Sequence, residues 1–88
     1  MKIKNTFILR NVAGNNIVLP MGASAESFSG MMTLNETGKF LWDNMQKDTT
    51  MEELVNALLS EYNVSADQAK EDASNFVETL RSAGVLEE

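Results

Sequence analysis

The chain has 88 residues, a formal net charge of −6, and neither cysteine nor histidine. That length supports one hydrophobic core, and the whole chain, 1–88, is expected to form a single domain. The two missing residue types exclude thiolate and imidazole catalysis, Cys/His zinc sites and disulfides.

Met1-Lys2-Ile3-Lys4 has the look of a signal-peptide start, and Ala23-Ser24-Ala25 that of a cleavage site. The apolar runs between them, such as Phe7-Ile8-Leu9, are too short for a signal peptide. No stretch approaches a membrane span, so a cytoplasmic location is expected. Residues 3–10 read as a first strand through Ile3, Phe7, Ile8 and Leu9. Asn11 to Asn16, centred on Gly14, has the composition of a turn. Ile17-Val18-Leu19 anchors a second strand over 16–20, stopped by Pro20. A third, weaker run is expected over 26–32, where Ser and Gly interrupt Phe28, Met31 and Met32.

Three tetrapeptides then mark helix starts: Thr33-Leu34-Asn35-Glu36, Thr50-Met51-Glu52-Glu53 and Ser65-Ala66-Asp67-Gln68. Each has the form of a capping box, with a hydroxyl placed to accept from the amide three residues on. The apolar spacing that follows predicts helices over about 34–46, 51–62 and 66–83. Their apolar sides carry Leu34, Leu41, Trp42 and Met45; then Met51, Leu54, Val55, Leu58, Leu59 and Tyr62; then Ala69, Ala73, Phe76, Val77 and Leu80. Gly84 is placed to end the last helix, with Val85 and Leu86 folding back. The resulting fold class is α+β, a three-stranded antiparallel sheet followed by three helices, in a winged-helix-like order.

The chemistry is sparse. Glu52-Glu53 and Glu71-Asp72 are adjacent carboxylates, but they lie opposite apolar stripes, where solvated charge is the normal pattern. An EF-hand loop begun at Asp43 or Asp48 puts Leu54 or Leu59 where a bidentate Glu belongs. No catalytic residue, cofactor site or metal site is indicated, and the chain does not read as an enzyme. Trp42 reads as core rather than as a stacking platform. Charge is uneven. Residues 1–50 hold five basic and four acidic groups, whereas residues 51–88 hold two basic and nine acidic groups. An acidic half of this kind repels phosphate, which disfavours nucleic acid and anionic membrane as partners.

The third strand carries the strongest functional hint. The first strand is guarded by Lys2, Lys4 and Arg10, and the second ends in Pro20. Ser27, Phe28, Ser29, Gly30, Met31 and Met32 have neither charge nor proline to block them. Such an edge can accept a strand from another chain, a covering loop, or a second copy of the protein in a homodimer.

The sequence also resembles the coenzyme PQQ synthesis protein D (PqqD) family. The resemblance rests on Met31-Met32-Thr33-Leu34-Asn35-Glu36-Thr37-Gly38 followed by Leu41-Trp42. Gly14 and Leu19-Pro20 upstream fit the same pattern. So do Thr50, Glu53-Leu54, Leu58, Tyr62, Val64-Ser65, Asp72, Phe76, Leu80, Gly84 and Leu86 downstream. The resemblance implies a non-catalytic, winged-helix-like module, also termed a RiPP recognition element. Such a module binds the leader of a ribosomally made precursor peptide by strand addition and presents it to a modifying enzyme, commonly a radical SAM protein. It implies that residues 27–32 accept the leader and that the third helix closes the groove, with Lys70, Ala73, Ser74 and Val77 as candidate contacts. The Leu-Asn-Glu-Thr-Gly block is expected to be structural, with Thr33 as helix cap and Gly38 allowing close packing. Lys47-Asp48-Thr49 departs from the Asp-Gly turn of many members. The rival reading is a DNA-binding winged helix or a purely structural interaction domain. It is disfavoured by the acidic third helix, where Asp67, Glu71, Asp72 and Glu78 face only Lys70 and Arg81.

Overall fold

The computed structural model describes residues 1–22 and 32–87. Over these the chain is α+β, with a three-stranded antiparallel sheet and three helices. The strands are β1 (Lys2–Ile3), β2 (Phe7–Val12), β3 (Asn15–Pro20), β4 (Met32–Leu34) and β5 (Leu86–Glu87). The helices are α1 (Glu36–Asn44), α2 (Met51–Glu61) and α3 (Ala66–Ser82).

The expected first strand is two strands in two sheets. Phe7–Val12 pairs with β3 from Phe7↔Pro20 to Val12↔Asn15. Lys2–Ile3 leaves that sheet and pairs with β5, Lys2 opposite Glu87 and Ile3 opposite Leu86. Backbone bonds from Ile3 N–H to the Met45 carbonyl and from Lys4 N–H to the Val85 carbonyl, both 2.9 Å, fix the detour. The Thr49 amide donates to the Met1 carbonyl at 2.9 Å. The Met1 ammonium reaches Asp48 Oδ1 at 2.5 Å. Its hydrogen bond and charge hold the exposed Asp48 carboxyl below its ordinary range. The Lys47-Asp48-Thr49 turn thus ties the chain start to the α1–α2 connection.

The β2–β3 turn contains two residues, Ala13 (φ 53°) and Gly14 (φ 83°). Two successive left-handed residues match the right-handed twist of the strands they join. Pro20 is tolerated at the end of the central strand. The Met21 amide donates to the Thr6 carbonyl at 2.7 Å, and antiparallel pairs alternate. Phe7 and Pro20 therefore form a pair that exchanges no hydrogen bonds with each other, so the missing N–H leaves no gap in the ladder to β2.

Two of the three caps form as expected. Thr50 Oγ1 accepts from Glu53 N–H at 3.2 Å, and Ser65 Oγ from Gln68 N–H at 3.1 Å. Gln68 does not reach back to complete its box; its Nε2 donates forward to Asp72 Oδ1 at 2.8 Å. The first cap is a correction. Thr33 lies in β4 opposite Ile17, and the cap is Asn35, whose Oδ1 accepts from Gly38 N–H at 2.8 Å. Helix α1 therefore starts at Glu36, and Thr33 and Leu34, expected near its start, belong to a strand. Of the expected third strand, 26–32, only Met32 falls within the described residues.

At the other end α3 stops as Gly84 implies. The Gly84 amide (φ 76°) donates to the Arg81 carbonyl and the Val85 amide to the Leu80 carbonyl, at 3.1 and 3.0 Å. This is the Schellman pattern, and the fully buried Val85 and Leu80 supply its apolar contact. The core joins Phe7, Val18 and Leu34 of the sheet to Leu41, Trp42 and Met45 of and just past α1, Leu54 and Leu58 of α2, and Ala69, Ala73, Val77 and Leu80 of α3. Trp42 is buried there, as its spacing implies. Phe40 and Tyr62 meet edge to face, 5.4 Å between centroids, at its margin. No described helix is long and apolar enough to cross a membrane.

Candidate peptide-binding groove

Strand β4 follows β3 and closes the three-stranded sheet. Its exposed main-chain groups follow from the same alternation. Residues 17 and 19 of β3 point their amides and carbonyls toward β2, so Asn16 and Val18 point theirs toward β4. Their partners Leu34 and Met32 therefore face β3, and Thr33 turns its N–H and C=O outward. The exposed Thr33 offers one donor and one acceptor on the outer side of the sheet.

Facing this edge is a groove of about 800 Å³. One wall is Met32, Thr33 and Leu34, continuing through Asn35 to Gly38 into α1. The other is Asp72, Asn75, Phe76 and Thr79 of α3, and Gly14 to Asn16 of the hairpin close one end. Those α3 residues sit at i, i+3, i+4 and i+7, a single helix face two turns long. Leu41, almost fully buried, lies at the bottom, and Phe76 is half-buried beside it.

Gly38 sets how closely the walls approach. A Cβ there would stand 3.4 Å from Phe76 Cε1, 3.3 Å from Leu34 Cβ and 3.2 Å from Asn35 Oδ1. The packing role expected of Gly38 thus lies at the groove itself. Among the described residues, no three His, Cys, Asp or Glu side chains gather to hold a metal ion.

The candidate contacts fall in different places. Ser27, Phe28, Ser29, Gly30 and Met31 lie outside the described residues. Met32 lines the groove. Ala73 and Val77 do not reach it: they are 0% and 1% exposed, inside the core. Lys70 and Ser74 lie instead on a second cleft of about 430 Å³ between α2 and α3, with Met51, Val55 and Leu59. Periodicity identified the core stripe of α3 but not the flank that meets the sheet. The signal for that flank was Phe76, a large apolar residue at the margin of the stripe with Asp72 one turn before it.

The sequence matches the family described as coenzyme PQQ synthesis protein D (PqqD) over residues 15–86. The chain belongs to the PqqD family. The match spans β3, β4, all three helices and β5 up to Leu86, so both long walls of the groove lie within the family region, while β2 and Gly14 precede it. Among proteins of curated function, none matches the sequence. Two solved structures share this PqqD-family fold. TbiB1, in complex with the TbiA(beta) leader peptide, has a TM-score of 0.77 at 22% identity over 99% of this chain and 95% of its own. A lasso peptide synthetase B1, complexed with the leader peptide, has a TM-score of 0.73 at 19% identity over 96% of this chain and 93% of its own.

Proposed function

We propose that this PqqD-family chain is a non-catalytic module that binds the leader of a ribosomally synthesised precursor peptide. The leader adds as a strand along the outer edge of β4 and lies in the groove against α3. The module then presents it to a modifying enzyme, of the radical SAM type in the simplest case. The observation that carries the reading is the outward N–H and C=O of Thr33 opposite Phe76. Strand addition needs main-chain partners on one side and side-chain pockets on the other, and this groove has both. The fold shared with two leader-complexed proteins supports it.

Residues 27–31 remain proposed contacts on the approach to β4. On α3 the proposed contacts become Asp72, Asn75, Phe76 and Thr79, in place of Lys70, Ala73, Ser74 and Val77. A recognition helix for DNA would need a basic face, and α3 carries Asp67, Glu71, Asp72 and Glu78, with Arg81 already bonded to Glu78 at 2.7 Å.

An amide NMR titration with the leader of a short peptide encoded beside this gene tests the reading. Shifts are expected over Met32 to Gly38 and Asp72 to Thr79. Shifts centred on Met51, Leu59 and Lys70 would move the site to the other cleft and overturn it.

A further inference from the structure

Resting on the strand-adding groove proposed above, we infer that its ligand carries a Lys or Arg two positions from a bulky apolar residue. The first half of the argument is charge. Among the described residues the groove is lined by two carboxylates, Glu36 and Asp72, and by no basic residue. Lys39, next to Gly38 in sequence, holds Asp43 at 2.9 Å on the exposed side of α1. Glu36 sits in the first turn of α1, where the helix dipole already favours it. Asp72 has no such compensation. Its Oδ1 accepts from the neutral Gln68 amide at 2.8 Å. That bond fixes the side chain without cancelling its charge, and a carboxylate has room for further donors.

The second half is spacing. Asp72 and Phe76 are one helical turn apart, which sets their Cβ atoms roughly 5–6 Å from each other. Same-face residues of a strand, i and i+2, are about 6.7 Å apart. A strand that rests an apolar side chain on Phe76, above Leu41 and the bare Gly38, therefore brings its i+2 or i−2 neighbour to Asp72. Lys or Arg fits that place, because its stem lies along apolar surface while its head reaches the carboxylate. The direction of the strand decides which of the two residues comes first.

A random dodecapeptide display library selected on the intact protein tests this, run in parallel on Asp72→Lys and Thr33→Pro. On the unaltered protein, enriched peptides are expected to carry Lys or Arg two positions from an aromatic or large aliphatic residue. Asp72→Lys is expected to replace that preference with Asp or Glu. The best peptide should lose roughly tenfold in affinity on Asp72→Asn at low salt, and less as salt is added. Enriched peptides without the basic position, or with it unchanged on Asp72→Lys, overturn the charge inference and leave strand addition standing. Equal enrichment on Thr33→Pro overturns strand addition itself. A copy of the enriched peptide N-methylated on its backbone tests the same edge without altering the protein; undiminished binding would likewise remove strand addition.

Discussion

Helix α3 borders two concavities, and they differ in kind. The cleft against α2 is mainly apolar, with Met51, Val55 and Leu59 beside Lys70 and Ser74. Its other wall is a helix, whose main-chain groups are already spent within the helix. The groove on the opposite flank has a strand as its other wall, and that strand keeps an outward donor and acceptor at Thr33. Apolar contact alone gives little control over register. A strand edge supplies main-chain bonds that repeat every two residues, and a side-chain pocket beside it selects the register. The pairing of side-chain pocket with open backbone, rather than apolar area, distinguishes the two flanks.

The largest expected effect separates them directly. Thr33→Pro removes the outward N–H while leaving the bonds of Met32 and Leu34 to β3. Peptide affinity should fall at least tenfold, with helical circular dichroism retained, since one lost main-chain bond and a kinked edge together exceed about 1.4 kcal/mol. Lys70→Ala, on the other flank, should leave affinity within about twofold, as a solvated charge outside the contact contributes little. Isothermal titration of both variants with the same peptide checks the contrast. Equal losses would mean that the ligand spans both flanks.

Phe76→Ala should come next. The ring is half-buried and packs against the core, so the variant should lose about 1–3 kcal/mol of stability. It should also weaken peptide binding by removing the apolar seat. Leu59→Ala, at a residue 39% exposed on the opposite cleft, should cost less than about 1.5 kcal/mol and leave binding intact. Urea midpoints and titration of the two variants measure the pair. A larger loss at Leu59 would show that its cleft is covered in solution.

These contrasts also mark what the sequence discloses and what it withholds. Thr50 and Ser65 were legible as caps because each is a hydroxyl directly before an apolar helical period. The Thr33 tetrapeptide has the same form, yet Asn35 two residues on is an equally good cap. Pairing of Thr33 with Ile17, 16 residues away, decided between them. The division of the first strand was hidden for a similar reason. Lys2 and Ile3 find their partners at Glu87 and Leu86, more than eighty residues away in sequence. The groove flank of α3 was hidden because periodicity shows what is buried, whereas a binding face is defined by what stands opposite it.

The smallest effect tests whether the closed end of the groove is rigid. Ala13 holds φ 53° in the turn that places Gly14, Asn15 and Asn16 at that end. An L-residue with a Cβ is strained in this region by roughly 1 kcal/mol, and type I′ turns favour Asn followed by Gly. Ala13→Asn creates that pair with the Gly14 already present. The variant should gain about 0.5–1 kcal/mol, read as a higher urea midpoint at unchanged slope. Ala13 is exposed and does not line the groove, so peptide affinity should stay within about twofold. Tighter binding by Ala13→Asn would mean that opening of the hairpin competes with the ligand. The strand wall would then be a moving part, and its contrast with the helix-walled cleft would be one of mobility as well as of chemistry.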